Sequence, residues 1–250
     1  MHGFKLLNYL TKYGKIILLN YFTITVNILG QYIMTIRISV TSKLDGIRSW
    51  SLQALDTCPG SIESPGVLVD ACKGCYATTG NYNYPNVKAP RAANKDDWQR
   101  IEWCDDMVAA LDSDRYFRWL DSGDLYSLAL AEKVLEVMQR TPWCKHWLPT
   151  RMHKFPKFRM VFDAMRQLDN VSIRFSADSI DGSFIPGLHG STIGPDAATF
   201  QQINGVSLCR AYEHAGKCSG CRACWDKEID LICYPAHGKK MMRVINIKAA

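Results

Sequence analysis

"YFRWLDSGDLYSLALAEKVLEVMQR" spans residues 116–140, and its reading decides the fold. "YFRWL" (116–120) is a short, aromatic-rich run of strand character. "DSGD" (121–124) is polar punctuation around a glycine. From Leu125 on, apolar residues recur at helical spacing through Arg140. Strand, polar turn and helix in that order make one βα unit.

The same rhythm continues on the C-terminal side. "KHWLPT" (145–150) leads into "FPKFRMVFDAMRQL", and "VSIRFSA" (171–177) ends at "DSIDG". "GVSLCR" (205–210) and "DLICYPAH" (230–237) are further strand candidates. Repeated βα units predict a mostly parallel sheet or a partial (βα) barrel, with the site just past the C-terminal ends of the strands. On the N-terminal side, "KIILLNYFTITVNILGQYIM" (15–34) is apolar and about the length of a membrane span, but Asn, Gln and Thr interrupt it. Met34 opens a more ordinary start. Residues 1–33 therefore read as an N-terminal extension, 34–204 as the α/β domain and 205–250 as a cysteine-rich segment packed on it.

The chain of 250 residues is long enough to bury a core without covalent staples, yet it carries ten cysteines. No cleavable signal peptide is evident, so metal binding or redox chemistry in a cytoplasmic chain is expected rather than a disulfide framework. Of its six net positive charges, five fall in residues 1–50, which hold six Lys or Arg against one Asp. The nearly neutral remainder offers no broad nucleic-acid surface. No phosphate-binding loop and no dinucleotide fingerprint is present, and no Ser–His–Asp set can be assigned.

Seven cysteines form two groups. Cys72 and Cys75 flank a tight turn in "CKGC", with Cys58 upstream in "DTCPGS". Three thiolates suit an iron–sulfur cluster with one iron left open; structural zinc wants a fourth ligand, and a thioredoxin-like redox pair is the rival for Cys72 and Cys75. Cys218, Cys221 and Cys224 fall within seven residues, and Cys209 is a natural fourth. That run resembles a bacterial ferredoxin segment, with tetrahedral zinc as the alternative metal. The two groups holding one shared cluster also stays open. Cys104, Cys144 and Cys233 stand alone and read as core. His146, His153 and His237 show no zinc-type pairing, and the tryptophans read as core or site walls.

"SWSLQALDTCPGS" (49–61), "DACKGCYATTGNY" (70–82), "FRWLDSGDLYS" (117–127) and "CSGCRACWDK" (218–227) together resemble the gene product 88 family of phage proteins, over roughly residues 40–240. The resemblance implies a phage or prophage origin and hence the cytoplasm of a bacterial host. A more distant resemblance is to radical S-adenosylmethionine enzymes, which hold a [4Fe-4S] cluster on three cysteines after the first strand. Here thirteen and then two residues separate Cys58, Cys72 and Cys75, a wider first spacing than is usual there. That resemblance implies a partial barrel with S-adenosylmethionine on the open iron. It also implies contacts to the cofactor from Ser122, Gly123 and Asp124 after the second strand and from Ser176 and Asp178 after a later one. A second, auxiliary cluster on Cys209, Cys218, Cys221 and Cys224 and an external electron donor would complete such an enzyme, whose small-molecule or macromolecular substrate is unassigned. Helix capping by Ser122 or Asp124 is the plainer reading of that turn. The competing class is a non-catalytic metal-binding protein that uses iron–sulfur clusters or zinc to fold and to dock a partner. A cluster protein that only carries electrons is a third.

Overall fold

A computed structural model describes residues 36–249 apart from Gln202. The N-terminal extension read at 1–33 and the alternative start at Met34 lie outside the described residues. Arg37–Ala250 forms one compact unit. Its strands are β1 (Ile38–Val40), β2 (Arg48–Trp50), β3 (Ile62–Ser64), β4 (Val67–Leu68), β5 (Tyr116–Trp119), β6 (Lys145–Thr150), β7 (Val171–Ser176), β8 (Gly190–Gly194), β9 (Val206–Leu208) and β10 (Leu231–Pro235). The helices are α1 (Asp70–Lys73), α2 (Pro85–Asp97), α3 (Trp103–Ala110), α4 (Leu128–Arg140), α5 (Arg159–Arg166) and α6 (Lys239–Ala249).

Eight strands make one sheet in the order β1-β2-β5-β6-β7-β8-β10-β9. β1 pairs antiparallel with β2, and every other pairing in that sheet is parallel. The mixed α/β class and the mostly parallel sheet follow the expected βα rhythm. The sheet does not close into a barrel among the described residues: β1 and β9 are its edges. From β2 to β8 the main-sheet strands lie side by side in chain order. Crossovers of the usual right hand between strands placed in that order keep the helices on one face. β9 and β10 belong to this same sheet, so the cysteine-rich segment between them is a loop of the α/β unit.

The alternation of side chains divides the sheet. Trp50, Phe117, Trp119, His146 and Phe175 face the helices. Trp103 of α3 meets Trp50 edge-on at 5.4 Å, and Phe162 of α5 lies 5.7 Å from Phe175. α4 buries Leu130, Ala131, Val134, Val137 and Met138, the stripe its sequence period announces, and stops at Thr141 before Pro142. The other face carries Ser49, Arg118, Trp147, Ser172, Arg174, Ser176 and Tyr234, a polar set for the inner surface of a sheet.

His146 belongs to the helix side. The Thr141 hydroxyl donates to the Val137 carbonyl at 2.7 Å and so accepts from His146 Nε2 at 2.9 Å. The Trp119 indole N–H donates to His146 Nδ1 at 3.2 Å. Both ring nitrogens are used by a neutral imidazole, and burial pushes its pKa down to about 4. Its contribution is complete above the ordinary value of about 6.5 and is lost as pH falls toward 4, because only the unfolded chain takes up the proton in that window. The expected loss attributable to this residue is about 1.4 kcal/mol per pH unit there. Urea midpoints of the native chain and of His146→Gln across that window check it; parallel curves would refute the assignment.

Candidate functional site

Loops that follow successive parallel strands build the first thiol group. After β2, Pro59 opens a 3-10 turn at Cys58, and the Ser61 hydroxyl donates to the Cys58 carbonyl at 2.6 Å. Cys72 and Cys75 sit on α1 and the turn after it, with Cys75 N–H donating to the Cys72 carbonyl at 3.1 Å. The Ala71 N–H donates to the Asp178 carbonyl at 2.9 Å, which ties this turn to the end of β7. Gly74 meets α6 directly: a Cβ there would stand 2.8 Å from the Met241 Cα. Cys58 lies within electrostatic reach of Asp124, Cys72 and Cys75, and Cys72 within reach of Arg151, Asp178 and Asp124. Burial, with the Asp124 charge second, pushes the Cys58 thiol up to about 12. Burial also raises Cys72, against the pull of Arg151. That is the reverse of the depressed thiol of a thioredoxin-type pair.

The "DSGD" turn after β5 is buried at Asp121, Ser122 and Asp124. Arg91 of α2 grips it, with Nη2 on both Asp121 oxygens at 3.0 and 3.1 Å and Nε on Ser122 Oγ at 2.7 Å. Tyr82 adds a phenol bond to Asp121 at 3.0 Å. Burial works to raise the Asp121 carboxyl, but Arg118 and Arg91 outweigh it and hold it below its ordinary value. Asp124 accepts from Leu125 N–H at 2.8 Å, Thr150 Oγ1 at 2.6 Å and Arg151 N–H at 2.8 Å. It fastens the end of β5 to the end of β6. Burial still raises its carboxyl. Neither Ser122 nor Asp124 caps a helix: α4 begins later, after Ser127. Gly123 has φ +78°, and a Cβ there would lie 2.5 Å from the Leu52 Cβ. Gly123→Ala is therefore expected to cost about 2–4 kcal/mol through left-handed strain and overpacking. Chemical denaturation measures this, and an unchanged midpoint would contradict it.

Asp178 completes the group, with Oδ2 2.7 Å from Lys154 Nζ and Oδ1 3.4 Å from Arg151 Nε. Arg151 also donates to the Ala177 carbonyl at 2.9 Å. Ser176, the last residue of β7, pairs with Ser191 Oγ at 3.4 Å.

The second thiol group is held from the sheet. Cys209 follows β9, and its N–H donates to the Cys233 carbonyl at 2.8 Å. Cys218 N–H donates to the Lys43 carbonyl at 2.8 Å. Asp45 accepts from Gly220 N–H at 2.8 Å and from Arg222 at 3.0 Å, fixing the loop to the β1–β2 turn. Cys218 and Cys224 each lie within electrostatic reach of Cys209, and Cys218 of Cys221. Cys221 is exposed. Arg174, fully buried in β7, donates to the carbonyls of Ala223, Cys224, Asp226 and Ile229 at 2.6–3.1 Å. Trp225 packs on Trp147 and Tyr116, and its indole N–H donates to the Phe117 carbonyl at 2.8 Å.

The family model for gene product 88 matches residues 30–227. This chain belongs to the gene product 88 family. Comparison with curated proteins gives no match, and comparison with solved structures gives none. The matched span contains both thiol groups and the "DSGD" turn. β10 and α6 of this gene product 88 protein lie beyond it, although α6 covers "CKGC".

In this gene product 88 fold, Cys58 lies within electrostatic reach of Cys72, Cys75 and Asp124, and Cys72 within reach of Asp178. Ser122 and Gly123 instead pack on Arg91 and Leu52, and Ser176 turns to Ser191. No trio of His, Cys, Asp or Glu among the described residues forms a ready cage for a single metal ion. The donor chemistry nonetheless fits a cluster. Cys58 and Cys72 lie within electrostatic reach of each other where burial raises both thiols, so a bound cation would be needed to ionise them. At the second group, Arg174 carries a buried charge that forms no ion pair among the described residues, and Cys224, Asp226 and Asp230 are within its electrostatic reach. Buried charges are normally compensated, and metal-bound thiolates would add to the negative charge of Asp226 and Asp230. Cys104, Cys144 and Cys233 are buried, the first two with thiols raised to about 12 and the third to about 11 by burial, as core cysteines behave.

Proposed function

We propose that this gene product 88 protein is an iron–sulfur protein of the radical S-adenosylmethionine type, built on a partial (βα) barrel. The observation that carries the reading is the placement of the first thiol group. Cys58, Asp124, Arg151 and Asp178 come from the loops after β2, β5, β6 and β7 and surround Cys72 and Cys75, at the end of the strands where such folds do their chemistry. The chain-order run of parallel strands with a polar inner face supports the partial barrel. Cys58, Cys72 and Cys75 would hold a [4Fe-4S] cluster with an open iron for S-adenosylmethionine. When bound, the cluster supplies the electron for reductive cleavage of that cofactor. Asp124 holds the Arg151 backbone in place, and Arg151 with Lys154 balances Asp178 at the edge of the thiol corner. Cys209, Cys218, Cys221 and Cys224 would hold an auxiliary cluster. The setting would be the cytoplasm of a bacterial host carrying the phage gene.

A non-catalytic metal protein is the second reading. It is favoured by the engagement of Ser122 and Asp124 in loop packing, which leaves them little freedom to grip a cofactor. Anaerobic purification, assay of iron, sulfide and zinc per chain, and EPR of the reduced protein with and without S-adenosylmethionine separate the two. Iron with sulfide and a spectrum that changes on adding the cofactor is the expected result. Iron without a spectral change would leave the second reading, and zinc without sulfide would overturn the cluster at both groups.

A further inference from the structure

Arg118 sits in the middle of β5 on the polar face of the sheet. Its guanidinium lies over the Trp147 ring at 4.4 Å, and its Nη2 donates to the Tyr76 phenol at 3.2 Å. Its Nε is buried and has no protein acceptor. Arg118 is half-buried, and the two buried arginines of the region are saturated: Arg91 by Asp121, Ser122 and Val87, and Arg174 by four carbonyls. Asp121, whose charge reaches Arg118, is already held by Arg91 and Tyr82. The phenols of Tyr76 and Tyr234 also lie within electrostatic reach of Arg118. Solvent reaches this place, since Tyr76 is 53% exposed. Tyr76 follows Cys75 of the first thiol group, and Tyr234 bonds Cys224 of the second at 3.4 Å. Arg118 thus stands between the two.

We propose that Arg118 anchors an oxyanion, a carboxylate or a phosphate, of the molecule on which this protein acts, seated on Trp147 between the two thiol groups. A guanidinium presents its donors in a planar fork that matches such groups, and its charge is present at every physiological pH. The inference rests on reading the polar face as the place of chemistry. Its rival is that Arg118 only offsets the charge of the second thiol group, since Cys224 lies within its reach.

The test uses the full chain, purified without oxygen and titrated at constant ionic strength with sodium acetate and separately with inorganic phosphate, reading tryptophan fluorescence. One saturable site is expected for at least one probe, and the two arms tell carboxylate from phosphate. Arg118→Gln should weaken it by about tenfold or more. Arg118→Lys, which keeps the charge and loses the fork, should weaken it less and covers the case in which the glutamine variant fails to fold. Iron and zinc per chain are measured on the same samples. Equal titrations of native and variant protein, or no saturation with either probe, overturn the proposal. So does loss of metal in Arg118→Gln with an unchanged titration, which is the rival's result. Saturable binding at Arg118 in a chain that holds no iron would uphold this inference while the radical-enzyme reading fails.

Discussion

Arg174→Met should lower stability by about 3 kcal/mol, because four carbonyls lose a shared buried donor. In a chain of this size that corresponds to a fall in Tm of about 6–12 °C. Methionine fills much of the same space, so the loss reports hydrogen bonds rather than a cavity. The damage should centre on residues 223–229, whose carbonyls the guanidinium collects. Cys218 and Cys224 should then react faster with an alkylating reagent, as mass spectrometry would show. Lysine at the same position has a compact ammonium in place of a fork and should rescue only part of the loss. An unchanged Tm and unchanged alkylation would show that the loop does not depend on Arg174.

Arg91→Met is expected to cost about 3–5 kcal/mol, the usual penalty for removing one partner of a buried ion pair. The pair is 7% and 5% exposed on its two sides, so water cannot take over for the lost partner. Asp121→Asn alone should be similarly damaging. The double variant should be less destabilised than the sum, by about 1–3 kcal/mol, because neither buried charge is then stranded. Strict additivity in urea denaturation would mean that Arg91 and Asp121 do not act as a pair. Asp121 adjoins the Ser122–Asp124 turn, so the same variants ask whether the first thiol corner survives when its support moves.

The elements legible in the sequence were those with a strong local period. β6 was read with its observed bounds, and β5, β7, β10 and α4 were read to within a few residues. β8, "GSTIG", was missed because two glycines and two hydroxyl residues give no apolar run; its pairing along β10 makes it a strand. α2 was missed because Pro90 lies inside it, where proline ordinarily breaks a helix. The helix-like run "WQRIEWCDDMVAAL" (98–111) becomes helix only from Trp103, and residues 98–102 form a turn. At the candidate site, the cysteines and Asp124 are the residues that spacing and position single out. The arginines are not among them, because single arginines in a chain of ordinary charge read as surface. The signal available was a lone arginine inside an apolar strand: Arg118 in "YFRWL" and Arg174 in "VSIRFS".

The contact between Gly74 and Met241 joins an early part of the chain to its last helix. During synthesis the "CKGC" turn leaves the ribosome long before α6 exists, since the N-terminal parts of a chain emerge first. Until α6 arrives, Cys72 and Cys75 lack their cover, open alike to cellular metal-delivery factors and to oxidants. Under the cluster proposed for the first thiol group, its loading and the docking of α6 would compete in time, and the pace of translation towards the end of the message would bear on how much loaded protein a cell obtains.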